Sequence, residues 1–140
     1  MSKSEGQQIL RDAKKAGKDY ALESVESESF QHYIDDQVHS AAIEDLPETK
    51  KEAIRAARSM LTDLRYDIER DLNFRDVIKK AGVGHTFTAY GEGYTQKIYG
   101  ITAQDVYDAF LDGIREVIGR KNTESWLADE ILFRANERRS

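Results

Sequence analysis

The sequence predicts an α+β domain that is predominantly helical, with four to five helices around one core and a single β-hairpin at about residues 85–99. Most of the chain repeats apolar residues at spacings of three and four, as an amphipathic helix does. One segment instead concentrates strand-forming residues around glycines. A chain of 140 residues, 39% of them hydrophobic, is large enough for one core, so we expect a single domain over residues 1–140.

The acidic N-terminal part, residues 1–45, is predicted to hold two helices. Residues 7–22 and 29–43 both show helical periodicity, and the second stretch carries Phe30, Ile34 and Val38 on one stripe. Between the two, Ser and Glu alternate, which favours a helix boundary over a helix interior.

A long helix is predicted over residues 47–72. Asp45 has the residue type and position of an N-cap, and Pro47, the only proline, suits a first turn. The apolar positions between Ile54 and Ile68 alternate spacings of three and four, which is typical of a helix-packing seam. A short helix or turn at residues 73–80 follows and is expected to end at a pair of glycines.

The hairpin prediction covers residues 85–99. A two-residue turn at Glu92 and Gly93 would place Phe87 opposite Ile98 and gather the aliphatic side chains on one face.

Two C-terminal helices are predicted at residues 103–119 and 123–136, with Thr102 as the N-cap of the first. We expect the helix at 103–119 to pack against the long helix at 47–72, seam to seam.

Several function classes lack their signatures in this chain. The absence of cysteine removes disulfides, thiolate zinc sites and cysteine nucleophiles. The glycine pairs at 82–84 and 91–93 lack the third glycine or the lysine that phosphate-binding loops require. No apolar stretch is typical of a secretion signal or a membrane span, so a cytoplasmic protein is expected. We therefore predict no catalytic residue, no metal site and no cofactor, and favour a non-enzymatic protein.

The net charge of −5 is concentrated in one segment, because residues 19–49 hold nine carboxylates and no Lys or Arg. A local negative field favours a protein partner with a basic surface and disfavours direct binding of nucleic acid. A solvated face that only keeps the protein soluble explains the same composition. The predicted partner-binding carboxylates are Glu23, Glu26, Glu28, Asp35 and Asp36.

The last predicted helix has two apolar faces. Leu127 and Ile131 lie on one face, whereas Trp126 and Phe133, seven residues apart, lie on nearly the opposite one. Such a helix is either covered on both sides within its own fold or used as an interface, where Trp is enriched. We predict that Trp126 and Phe133 anchor a partner or form a homo-oligomer contact.

Two further groups of side chains have possible chemistry. The outer face of the predicted hairpin would present His85, Tyr90, Lys97 and Tyr99, which together can grip a small ligand, although a covering helix would hide them. On the second helix, His32, Asp35, Asp36 and His39 share the side opposite Phe30 and Ile34. We interpret that cluster as solvated charge, because a metal would need a further ligand from elsewhere.

The function that these patterns favour is that of a small inhibitor or adaptor, which docks its acidic surface on a basic protein. If that basic surface handles nucleic acid, the carboxylates would stand in place of phosphates. The alternative is a small-ligand-binding or enzymatic domain with a pocket beside the 85–99 hairpin. No membrane partner is expected.

Overall fold

The computed structural model describes residues 2–87 and 95–140, and the described residues form six α-helices without a strand or sheet. The helices are α1 (Ser2–Glu26), α2 (Glu28–Ser40), α3 (Lys50–Asp71), α4 (Phe74–Lys80), α5 (Ala103–Ile118) and α6 (Lys121–Arg139). A short 3₁₀ turn, Ile43–Asp45, links α2 to α3. The prediction of a predominantly helical chain is confirmed, and its predicted helices are all present with shifted ends.

The predicted α+β class is wrong, because the described parts of the 85–99 segment form turns. The backbone N–H groups of Thr86 and Phe87 both donate to the carbonyl of Val83, at 2.9 Å each, which continues a helical turn. Phe87 is buried in a small core with Ile78 and Val83. The aromatic residue that the hairpin prediction used as a strand-former is therefore a core residue of a turn. Residues 88–94, including the predicted Glu92-Gly93 turn, lie outside the described residues.

A tight two-residue turn does occur nearby, at Tyr99 and Gly100. Ile98 and Ile101 exchange both backbone hydrogen bonds, at 2.7 and 3.1 Å, around this turn. Tyr99 and Gly100 have φ angles of +56° and +81°, and positive φ at both central positions is what a type I′ turn requires. Ile98 thus pairs with Ile101 and not with Phe87, so the predicted register is wrong as well.

The closest packing in the molecule joins α1 to α5. A Cβ added to Gly17 would lie 2.0 Å from the carbonyl oxygen of Phe110, and one added to Gly113 would lie 2.1 Å from the carbonyl oxygen of Lys14. The two backbones are therefore in direct contact at both glycines, with no room for a side chain. On the side of this contact, Lys14 and Lys18 bind the carboxylate of Glu116 at 2.9 and 3.2 Å.

The second helix pair is α3 with α6. Leu127, Ala128 and Ile131 of α6 are buried, and the Arg58 guanidinium of α3 donates to both oxygens of Glu124, at 2.9 and 3.2 Å. We predicted that the helix at 47–72 packs mainly against the helix at 103–119, and this prediction is wrong. In the structure α5 packs mainly on α1, and α3 packs mainly on α6. α2 packs on the same hydrophobic core through its buried side chains Phe30, Ile34 and Val38.

Two predicted helix starts had different outcomes. Thr102 caps α5 as predicted, in a reciprocal capping box in which Thr102 Oγ1 accepts from the N–H of Asp105 and the Asp105 carboxylate accepts from the N–H of Thr102. Asp45 does not cap α3, because it lies in the 3₁₀ turn. Thr49 is the N-cap and accepts from the N–H of Glu52 at 3.2 Å, so the helix begins after Pro47.

None of the helices in the described part of the chain combines the length and apolar content that crossing a membrane requires.

The contact between α1 and α5 can be tested with Gly113→Ala. In a helix this substitution normally stabilises by about 1 kcal/mol, because Ala has the higher helix propensity. Here the new methyl group meets the backbone of Lys14, so we expect the free energy of unfolding to fall by about 2 to 3 kcal/mol, as overpacking does. Urea unfolding followed by circular dichroism measures the change.

The matched control is Gly84→Ala, whose added Cβ would meet only the Lys79 Cα, at an ordinary 3.8 Å. We expect it to change stability by less than about 1 kcal/mol. A Gly113→Ala variant that is as stable as the unmodified protein would contradict the close-contact interpretation.

Candidate partner-binding surface

The outer face of α6 exposes two large aromatic side chains. Trp126 is 39% exposed and Phe133 is 61% exposed, whereas Leu127 and Ile131 on the opposite face are buried. Of the two explanations that the sequence left open, burial of both faces within the fold does not hold in this structure. The Trp126 face remains accessible.

Carboxylates surround this aromatic pair. Asp129 and Glu130 lie three and four residues after Trp126, and Glu137 lies four residues after Phe133, so all three share the outer face at helical spacing. Together these five residues form what we call the α6 stripe. Asp129 pairs with Lys50, and Glu130 lies 3.7 Å from Arg134.

Arg134 ties α6 to α2 and is only 16% exposed. Its guanidinium donates to the Gln31 backbone carbonyl at 3.0 Å and lies 3.0 Å from the Asp35 carboxylate. Asp35, a predicted partner-binding residue, is therefore held at the α2–α6 contact. Its charge balances that of Arg134, so Asp35 has a structural role whatever else it contacts.

The other predicted carboxylates face solvent. Asp36 is exposed on α2, and Glu23, Glu26 and Glu28 are exposed where α1 meets α2. Of the nine carboxylates between residues 19 and 49, Asp35 alone pairs with a Lys or Arg within the described part of the chain. The structure therefore gathers Asp35 and the α6 stripe beside the same helix contact, while Glu23, Glu26 and Glu28 lie at another corner.

Two acidic residues that lie at helix contacts elsewhere are paired within the chain. Glu69 accepts from Arg115 at 2.9 Å, and Glu116 is bound by two lysines of α1. The hydrogen bonds from Lys14 and Lys18 lower the pKa of Glu116 below its ordinary value. Residues 19–49 differ in their density of unpaired acids, because eight of their nine carboxylates have no ion pair in the described part of the chain.

A cleft of about 520 Å³ opens between α1, α2 and α3. Phe30, Leu64 and Ile68 supply apolar lining, and the Tyr33 hydroxyl donates to the Asp63 carboxylate at 2.9 Å. Burial and this hydrogen bond raise the pKa of Tyr33 to about 12. The sequence analysis did not predict this cleft, because the hydrogen bond joins residues thirty positions apart.

The residues of the alternative ligand site are not brought into one enclosed site by the structure. His85, Lys97 and Tyr99 are all exposed, and Tyr99 lies in the tight turn before Ile101. Tyr90, the remaining predicted member, lies outside the described residues.

The histidine cluster of α2 is also dispersed. The Nδ1 atom of His39 lies 2.8 Å from the Asp35 backbone carbonyl, whereas the Asp35 carboxylate faces Arg134. Among residues 2–87 and 95–140, no three His, Asp or Glu side chains are grouped to hold a metal ion.

The chain matches no protein-family model, no curated protein and no solved structure. The geometry of these surfaces is therefore the only support for a functional proposal.

The Tyr33–Asp63 hydrogen bond predicts a pH-dependent stability difference for Tyr33→Phe. Because the folded-state pKa of Tyr33 is raised from 10.0 to about 12, its stabilising contribution is fully present below pH 10 and is lost as the pH rises through 12. We expect the variant to be less stable than the unmodified protein at pH 8, by about 1 kcal/mol. The difference should shrink between pH 10 and 12 in urea unfolding experiments.

Tyr66→Phe is the control, since Tyr66 is an exposed tyrosine of α3 with no carboxylate partner among the described contacts. It should show the same small stability difference at every pH. A Tyr33→Phe difference that stays constant up to pH 12 would show that the hydrogen bond does not control the titration.

Proposed function

We propose that this chain is a small non-enzymatic interaction protein of the cytoplasm, an inhibitor or adaptor, which docks the α6 stripe and the adjoining face of α2 on a basic surface of a protein partner. The observation that carries the proposal is the exposure of Trp126 and Phe133 on one face of α6, with carboxylates on either side. Asp36 is exposed on α2, which contacts α6, and would add a negative charge to such a docking contact.

The two kinds of residue have different roles in such a contact. Burying an aromatic side chain of this size contributes roughly 1.5 to 3 kcal/mol, so Trp126 and Phe133 would supply most of the affinity. The carboxylates would attract and orient a basic partner and raise the association rate. Eight carboxylates between residues 19 and 49 have no ion pair in the described part of the chain, so a basic partner would relieve repulsion among them.

Charge also favours a different protein over a second copy of this chain. A two-fold contact through α6 would bring Asp129, Glu130 and Glu137 of each copy near the same residues of the other. Like charges at such a contact oppose association at low salt. The homo-oligomer is therefore the less favoured use of the same surface.

If the basic surface of the partner normally binds nucleic acid, the unpaired carboxylates would compete with phosphates for the same lysines and arginines. The alternative of a small-ligand-binding or enzymatic domain beside residues 85–99 has no supporting observation among the described residues.

The test is capture from a native lysate with the unmodified chain and with a Trp126→Ser, Phe133→Ser double variant. We expect the unmodified chain to retain a stoichiometric basic protein that high salt releases, and the double variant to lose it at least tenfold. Because both side chains are exposed, the free energy of unfolding should change by less than about 0.5 kcal/mol per site, so the loss would not reflect unfolding.

Tyr66→Ser is the matched control, since Tyr66 is 61% exposed, as is Phe133, but lies on α3. Asp36→Lys tests the charge without breaking the Asp35–Arg134 pair and should weaken capture mainly at low salt. Equal capture by the double variant and the control would contradict the proposed surface. Light scattering that shows a dimer disrupted by the double variant would instead assign the stripe to self-association.

A further inference from the structure

The cleft between α1, α2 and α3 is separate from the α6 stripe and has the size of a ligand site. Its volume of about 520 Å³ lies within the usual range of small-molecule pockets. The side chains of Phe30 and Ile68, which line it, are nearly buried. The rings of Phe30 and Tyr33 stack with their centroids 5.8 Å apart, so part of the lining is aromatic. A ligand with a short apolar body fits this lining.

The polar groups of the cleft present acceptors. The Tyr33 hydroxyl donates its one hydrogen bond to the Asp63 carboxylate, at 2.9 Å. The hydroxyls of Ser24 and Ser27 donate to backbone carbonyls, at 2.9 and 2.7 Å. The Ser27 oxygen also accepts from the N–H of Phe30 at 3.2 Å, as the N-cap of α2, which leaves one of its two lone pairs for another donor. Three of the five hydroxyl side chains that line the cleft, those of Ser24, Ser27 and Tyr33, are thus engaged as donors within the chain. A ligand that meets these atoms must supply the hydrogen-bond donors itself.

The charge of the cleft is negative. Glu23, Asp63, Asp67 and Asp71 line it, and no Lys or Arg does. Asp67 and Asp71 lie 3.1 and 3.4 Å from the exposed Arg70, whereas Glu23 and Asp63 have no ion pair in the described part of the chain. The neighbouring Tyr20 ring already lies 5.0 Å from the Lys80 ammonium, so this wall accommodates a positive charge.

We propose that this cleft binds an organic cation, a guanidinium or ammonium group carried on a short apolar body. The donors of the cation would meet Glu23, Asp63 and the serine oxygens, and its apolar body would lie on Phe30 and Ile68. This inference is independent of the proposed function, which needs only the α6 stripe. The cation is either a free small amine or guanidine, or the side chain of an arginine or lysine in a peptide.

Butylguanidinium and its neutral isostere butylurea test the proposal on the full chain. We expect butylguanidinium to bind with a dissociation constant on the order of 1 mM, as suits a fragment of this size, and butylurea to bind at least tenfold more weakly. Amide chemical shifts in an NMR titration should change at the cleft residues of α1, α2 and α3. Equal binding of the two probes, shifts located elsewhere, or no binding at millimolar concentrations would each overturn the proposal.

A Glu23→Gln, Asp63→Asn double variant should weaken butylguanidinium binding at least tenfold, because it removes the two unpaired charges while it keeps the side-chain shapes. Glu44→Gln, an exposed acid on the 3₁₀ turn, is the control and should bind as the unmodified chain does. Urea unfolding of the double variant shows whether the fold is retained. If the double variant unfolds, Glu23→Gln alone supplies the test, since Glu23 is exposed and has no ion pair among the residues that the structure describes.

Two further binding measurements complete the test, and the first distinguishes the possible sources of the cation. A capped Gly-Arg-Gly peptide that binds more tightly than butylguanidinium would identify an arginine of a polypeptide, and the reverse order would identify a free guanidine or amine. The Trp126→Ser, Phe133→Ser variant should bind butylguanidinium normally. The experiments can therefore contradict the cation site in the cleft without contradicting the partner surface on α6, and the reverse.

Discussion

The backbone contact between α1 and α5 determines where the other helices can lie. Gly17 and Gly113 remove the side chains that would otherwise hold the two helices apart, and each faces a carbonyl oxygen of the partner helix. Because Ser27 alone separates α1 from α2, the position of α1 also sets the start of α2. The close pair thus places α2 against α3 and α6, where both the acidic cleft and the α2–α6 contact form.

The division of charge follows from this arrangement. Two acids at the contacts of α5 are paired, Glu116 with Lys14 of α1 and Glu69 of α3 with Arg115. The acids of residues 19–49 lie in a stretch without any Lys or Arg, and α6 contributes cations that contact this stretch. Arg134 pairs with Asp35, whereas Arg138 and Arg139 donate to backbone carbonyls between residues 38 and 47. A fold that only needed solubility could interleave the two signs, and this chain does so elsewhere on its surface.

Sequence periodicity predicted the helices because each amphipathic stripe is local, and Thr102 was identified as a cap because its partner, Asp105, is three residues away. Features that depend on distant residues were not predictable in this way. The strand-like composition around Phe87 led to the wrong prediction of a hairpin, because the Phe87 side chain packs in a hydrophobic core while its backbone forms a helical turn. Helix geometry predicted that Trp126 and Phe133 lie opposite the face of Leu127 and Ile131, but not that they are exposed. The cleft likewise requires three helices to meet before its lining exists.

α2 connects the two candidate surfaces because polar contacts hold it on both sides. Tyr33 hydrogen-bonds to α3 at the cleft, and Gln31 and Asp35 bind Arg134 of α6 near the stripe. Its apolar contribution is confined to three buried side chains, so these polar contacts have a large share in its orientation. Gln31, Tyr33 and Asp35 therefore stabilise the position of α2, whereas solvent-exposed residues such as Asp36 are available to contact a partner.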